Sequence, residues 1–155
     1  MAKVTFTMNL NTIKKLEGLV NDKLTQDVGL MMVSESKRLI ASGQSPVKGV
    51  GRFAPYKNPE KYPGGLKAAR PVNLSLTGTM LSYLGYRKVG KTIEVGILPG
   101  APRKVQTIAR VHNTGERADI PRRQFIPDKG QEFVASISVK MRELIRKRVL
   151  ELIKG

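Results

Sequence analysis

The sequence predicts a single α+β domain in which two long helices pack on a small, mainly antiparallel sheet. Three observations predict it. Apolar residues recur at three- and four-residue steps near both ends of the chain, and period-two alternation marks the first ten residues and the middle. The length of 155 residues suits one hydrophobic core. We read residues 1–155 as one domain, with 44–73 as an extended loop or arm, and find no internal repeat.

Val4, Phe6, Met8 and Leu10 alternate with Lys3, Thr5, Thr7 and Asn9, as in a half-buried strand near a sheet edge. Asn11 is placed to cap a long helix carrying Ile13, Leu16, Val20, Leu24, Val28, Met31, Met32, Glu35 and Leu39 on one side, with Gly43 as its stop. The Met31-Met32 pair and the Ile/Leu stripes are read as core. A short helix is expected over 77–84, then two strands over 83–89 and 92–98 joined by a turn at Gly90 and Lys91, closed by Pro99, Gly100 and Pro102. Residues 103–112 read as a helix with Val105, Ile108, Ala109 and His112 on one side. The terminal helix is expected to begin at Asp128, where Gln131 completes a capping box, and to bury Phe133, Ile137, Met141, Leu144, Ile145, Val149 and Leu152.

Between these elements, residues 44–73 hold five prolines and four glycines interspersed with basic residues. A structureless segment of this length is uncommon inside a compact domain. It reads as an arm that orders against a neighbour, with Phe53, Tyr56 and Tyr62 buried by a partner; the competing reading is a mobile loop with solvated charges.

Residues 110–128 narrow the function furthest. They join the end of a helix to a polar turn, an Ile-Pro-Arg-Arg-Gln-Phe-Ile-Pro segment and a fresh helix start. Pro121 and Pro127 fix their own φ and push Ile120 and Ile126 toward extended geometry, so the stretch is stiff. The pattern of Val111, His112, Asn113 and Gly115, then Ile120, Pro121, Arg122 or Arg123, Phe125 and Ile126, resembles one in the tail-completion and neck proteins of tailed bacteriophages, the Mu-like virion morphogenesis group included. That family usually continues Pro-Ala-Arg-Pro-Phe-Leu-Gly, and Arg122 and Gln124 stand here where its Ala and second Pro would sit. Leu74, Gly78 and Leu81 are similar to the family's Leu-Thr-Gly-x-Leu segment before a β-hairpin. Ser45, Pro46 and Val47, with Gly51, Arg52, Phe53, Ala54, Pro55 and Tyr56, are similar to the loop after its first long helix. Each motif is short; their order along the chain is the stronger signal.

The formal charge is +16, and residues 44–110 carry twelve basic against two acidic side chains. Such a field favours phosphate or an acidic protein surface and says nothing about fold. The candidate contacts for DNA or an acidic partner are Arg87, Lys88, Lys91, Arg103 and Lys104. Exposed charges that merely keep the surface solvated are the competing reading. Aromatics make up only 5%, so the stacking platforms of a single-strand or RNA binder are scarce. With no cysteine and one histidine, thiolate and multi-histidine metal sites are excluded, and the cysteine count fits assembly in a reducing cytoplasm. No apolar run approaches a membrane span, and the first residues lack a signal peptide's apolar core, so a soluble protein is expected.

Residues 85–92 satisfy G-x-x-x-x-G-K-[ST] letter for letter. That loop holds phosphates only when a strand delivers it and a helix follows, and the residues after Lys91 alternate as a strand. A β-hairpin is the better account. His112 has the only side chain with an ordinary pKa near neutrality, but Glu116 and Asp119 sit near it without a nucleophile. No enzyme and no cofactor are expected.

The resemblance implies a structural virion protein. It would form a homo-oligomeric ring, a hexamer by expectation, at the head–tail neck or the head-proximal tail end, assembled in the host cytoplasm. Its partners would be neighbouring neck, connector and tail proteins, with double-stranded DNA passing through non-specifically and no membrane involved. The subunit or ring interface is expected at Phe53, Tyr56, Ile120, Pro121, Arg122, Arg123, Phe125, Ile126 and Pro127. The alternative is a basic nucleic-acid-binding protein of ribosome-associated or nucleoid type, which the charge supports.

Overall fold

A computed structural model of the chain describes residues 5–6, 22–56, 72, 74, 78–90 and 92–154. The first long helix, α1, runs Asp22–Ala41 and buries Leu24, Val28, Met32 and Leu39 along the expected stripe. Gly43 ends it: φ there is 79°, a conformation glycine adopts without a Cβ penalty. Asn11, Ile13, Leu16 and Val20 lie outside the described residues.

Among the described residues the sheet has three strands in the order β1-β3-β2. Strand β2 (Leu84–Val89) pairs antiparallel with β3 (Thr92–Ile97), from Leu84 opposite Ile97 to Val89 opposite Thr92. Gly90 turns the hairpin with φ 59°, and Lys91 lies outside the described residues. Strand β1 (Thr5–Phe6) adds antiparallel to β3, so the N-terminal strand is at the sheet edge, as its alternation suggested. Period two divides the faces. Tyr86, Ile93 and Val95 pack with α1, while Arg87 and Glu94 form an ion pair on the other side at 2.5 Å.

Helix α2 occupies only Thr79–Ser82, because Leu84 is already in the ladder. Helix α3, Arg103–Thr114, ends at Gly115 with φ 69°. Helix α4 is Ala135–Lys154 and does not begin at Asp128. Half of the capping box does form, since Gln131 Oε1 accepts the Asp128 N–H at 2.8 Å. Gly130 then takes φ 84°, Phe133 bridges to Val47, and the Val134 N–H donates to the Pro46 carbonyl at 2.9 Å. Helical bonding starts only after that extended pairing.

Residues 44–56 also correct the sequence reading, which made them part of an arm. Gln44 bridges to Arg52, Ser45 N donates to the Gly51 carbonyl at 2.8 Å and Phe53 N to that of Gly43 at 3.0 Å. Gly49 and Gly51, with φ 85° and 73°, permit the tight reversal that turns a proline-rich stretch back on itself. Phe53 is therefore buried in the chain's own core, 7% exposed, and not by a partner. The rest of the segment, 57–71 with Tyr62, and residue 73 lie outside the described residues.

Among the described residues the core has two parts. One joins α1, β3, Phe133 and α4 through Val28, Met32, Ile93, Val95, Ile137 and Met141. The other gathers Ile40, Phe53, Met80, Leu84, Val105, Phe125 and Ile126. Helices α1 and α4 run antiparallel, tied by Arg148 to Asp27 and Lys140 to Glu35, each at 2.6 Å.

Where α1 crosses β2, a Cβ built on Gly29 would overlap the Tyr86 ring. Gly29→Ala should therefore cost about 1–2 kcal/mol despite the better helix propensity of alanine. Urea unfolding measures it, and a double variant with Tyr86→Leu should recover part of the loss.

Candidate functional site

The 110–128 block is built around the last turn of α3. Gly115 reverses the chain there, and a Cβ on it would lie 2.7 Å from Cβ of Arg122. The returning strand-like segment passes against the helix end. Asn113 Oδ1 accepts two backbone N–H groups from it, Phe125 at 3.0 Å and Ile126 at 2.8 Å. Arg122 Nε donates to the Asn113 carbonyl at 2.9 Å, its Nη2 reaches Asp128 at 2.9 Å, and Arg123 N donates to the His112 carbonyl at 2.8 Å. A segment without ladder partners among the described residues thus has three of its backbone N–H groups satisfied by one asparagine side chain and the helix end.

Arg123 carries this contact across the molecule. Its side chain is buried, and Nε and Nη2 donate to the Ala54 and Pro55 carbonyls, each at 2.8 Å. The guanidinium lies over the Tyr56 ring, 4.7 Å from its centroid, a cation–π arrangement. Burial raises the Tyr56 pKa. Gln124, also buried, donates to the Ile126 carbonyl at 3.2 Å and to Asp128 at 3.1 Å, and bonds Gln131; its own carbonyl accepts Ser45 Oγ at 2.6 Å. The block is a clasp binding α3, the 44–56 loop and the approach to α4.

His112 sits inside the clasp with Nδ1 3.5 Å from Arg123 Nη1. Burial, reinforced by the Arg123 charge, pushes its pKa down to about 4. The ring is then neutral near pH 7, with Nδ1 as acceptor. The unfolded chain takes up a proton near the ordinary value of about 6.5. The resulting stabilisation is complete above that pH and is lost as pH falls toward 4. Allowing for partial solvent screening, the loss should be about 2 kcal/mol. Urea midpoints between pH 7 and 5 should drop for the natural chain and stay flatter for His112→Gln.

The structure divides the expected interface residues. Phe53, Phe125, Ile126 and Pro127 are buried within their own chain, Phe53 by the fold-back of 44–56 and the other three because the Asn113 clasp folds the stiff segment onto α3; of the four, Ile126 alone borders a cleft. Arg123 is buried with carbonyl partners, and Tyr56 is half-buried beneath it. Ile120 and Pro121 remain partly exposed and Arg122 exposed.

Of the basic set, Arg87 is paired with Glu94 and Lys88 with Asp22 at 2.6 Å, while Lys91 lies outside the described residues. Arg103 and Lys104 are exposed on the first turn of α3, without ion-pair partners among the described residues. The phosphate-loop letters fall in the β2–β3 hairpin, with a strand after the turn where that loop requires a helix. Among the described residues, no group of three or more His, Cys, Asp or Glu is placed to hold a metal, and no helix is long and apolar enough to cross a membrane.

Beside the clasp lies a cleft of about 270 Å³ between the end of β3 and α3. Ile97, Leu98 and Ile126 contribute apolar surface; Arg103, Arg110 and Asn113 contribute polar groups. The sequence reading missed this cleft and the anchoring roles of Asn113 and Gln124. The available signal was an asparagine two residues before a helix-ending glycine, followed by a proline-bounded segment with no strand to pair with. Comparison with family models, curated proteins and solved structures gives no match to this chain.

Proposed function

We propose that the chain is a structural virion protein of a tailed phage, forming a homo-oligomeric ring, with six copies expected, at the head–tail neck or head-proximal tail end. In this role it completes the tail and joins it to the capsid around the DNA path. The observation that carries the reading is the clasp: the positions that resemble the tail-completion and neck family, His112, Asn113, Gly115, Arg122, Arg123 and Phe125, interlock as one unit. A rigid platform of this kind suits a ring subunit that bears load between two assemblies. The contact side chains are then Ile120, Pro121 and Arg122, with Phe125 and Ile126 anchored in the core. The remainder of the 44–73 segment is proposed as the arm that orders against a neighbour. The basic surface faces acidic neck, connector or tail proteins, since many phosphate contacts would hold the DNA too tightly for passage.

Imaging of particles labelled through this protein, with mass measurement of the free form, tests the reading; absence from virions sinks it. The charge of +16 favours a second reading, a basic nucleic-acid-binding protein. A monomer or dimer binding random duplex DNA with a steep salt dependence would select that reading.

A further inference from the structure

We propose that the cleft between the end of β3 and α3 binds an extended acidic peptide segment of a partner protein. Its two sides differ in chemistry. Ile97, Leu98 and Ile126 make one side apolar, whereas α3 brings Arg103 and Arg110 to the other. Those two positions are seven residues apart on the helix, about 10 Å along its axis, and so lie on one face. Successive side chains of an extended peptide point to opposite sides. A segment alternating apolar and acidic residues therefore fills both sides at once, carboxylates toward the guanidinium groups.

A second observation points to a ligand. Asn113 is 1% exposed and lines the cleft, and its Nδ2 has no hydrogen-bond partner among the described residues although its Oδ1 has two. An unpaired buried donor is costly. A peptide carbonyl or carboxylate oxygen seated at the base of the cleft supplies the missing acceptor. Arg110 already pairs with exposed Glu116 at 3.2 Å, and its five N–H donors leave capacity for a second carboxylate. A DNA backbone carries charge but no apolar side group for Ile97 and Leu98, so the two-sided lining favours a peptide over duplex phosphate. The inference goes beyond the virion reading and does not require it: imaging tests the ring, and the following assay tests the cleft alone.

The probe is a fluorescein-labelled octapeptide alternating leucine and glutamate, titrated by anisotropy against the full chain at about 150 mM salt. Binding is expected below about 1 mM, with the glutamine counterpart at least about tenfold weaker. Arg103→Glu with Arg110→Glu should weaken binding at least about tenfold while circular dichroism is unchanged. Asn113→Asp, which keeps the acceptor for Phe125 and Ile126 but removes the free donor, should weaken it as well. The control Arg142→Glu with Lys147→Glu makes the same charge change on α4, outside the cleft, and should leave binding intact. Equal binding of the glutamine peptide, an equal loss in the α4 control, no loss in the cleft variant, or no binding at about 1 mM would each overturn the proposal.

Discussion

Phe125→Ala will lower the unfolding free energy by about 4 kcal/mol, at the upper end of the range for a fully buried aromatic. The ring is 1% exposed and belongs to the cluster of Phe53, Met80, Leu84 and Val105. The cavity left behind closes poorly, because the backbone at 125 and 126 is pinned by Asn113 and cannot slide inward. Phe125→Leu should lose about half as much, since it keeps most of the apolar contact. Urea denaturation gives both values; a loss under about 1 kcal/mol for alanine would mean that the ring is not part of the core. A head–tail joining defect in a Phe125 variant therefore reports on folding. Contact is better probed at the surface, by Ile120→Asp.

The elements legible in the sequence are those whose signals are local. The α1 stripe from Leu24 to Leu39, the β2–β3 alternation and the stops at Gly43 and Gly115 all depend on periodicity and backbone permissiveness within a few residues. The misread elements turn on distant partners. The capping box at Asp128 and Gln131 forms locally, yet Val47 and Pro46, far away in sequence, draw Phe133 and Val134 into extended pairing. Proline and glycine over 44–56 signalled a loop correctly, but composition does not distinguish a free loop from one folded back by glycines at positive φ. The 110–128 block was legible as a unit and its burial was not. An arginine in a polar-looking run gives no sign that two backbone carbonyls 68 and 69 residues away will receive it.

Arg123→Ala should cost about 3 kcal/mol, combining lost packing with hydrogen bonds from a charged donor to two part-buried carbonyls. Two substitutions separate these contributions. Arg123→Met keeps the aliphatic stem and should lose about 2 kcal/mol, because the Ala54 and Pro55 carbonyls still lack a donor. Arg123→Lys should rescue little, since a single ammonium has no rigid fork to serve both carbonyls and lie flat over Tyr56. Desolvation of the cation is relieved in the alanine and methionine variants, which holds the cost below the sum of its separate interactions. The histidine provides an independent readout of the same guanidinium. Its pKa is held at about 4 chiefly by burial and further by the Arg123 charge, so Arg123→Met should raise it without returning it to the ordinary value. Titration of the His112 ring protons by NMR follows this directly, since the sequence contains only that one histidine to observe. A raised pKa together with a lower urea midpoint would place Arg123 in both roles at once. An unchanged pKa in a destabilised variant would instead show that the guanidinium acts on the loop carbonyls alone and that burial by itself neutralises the ring.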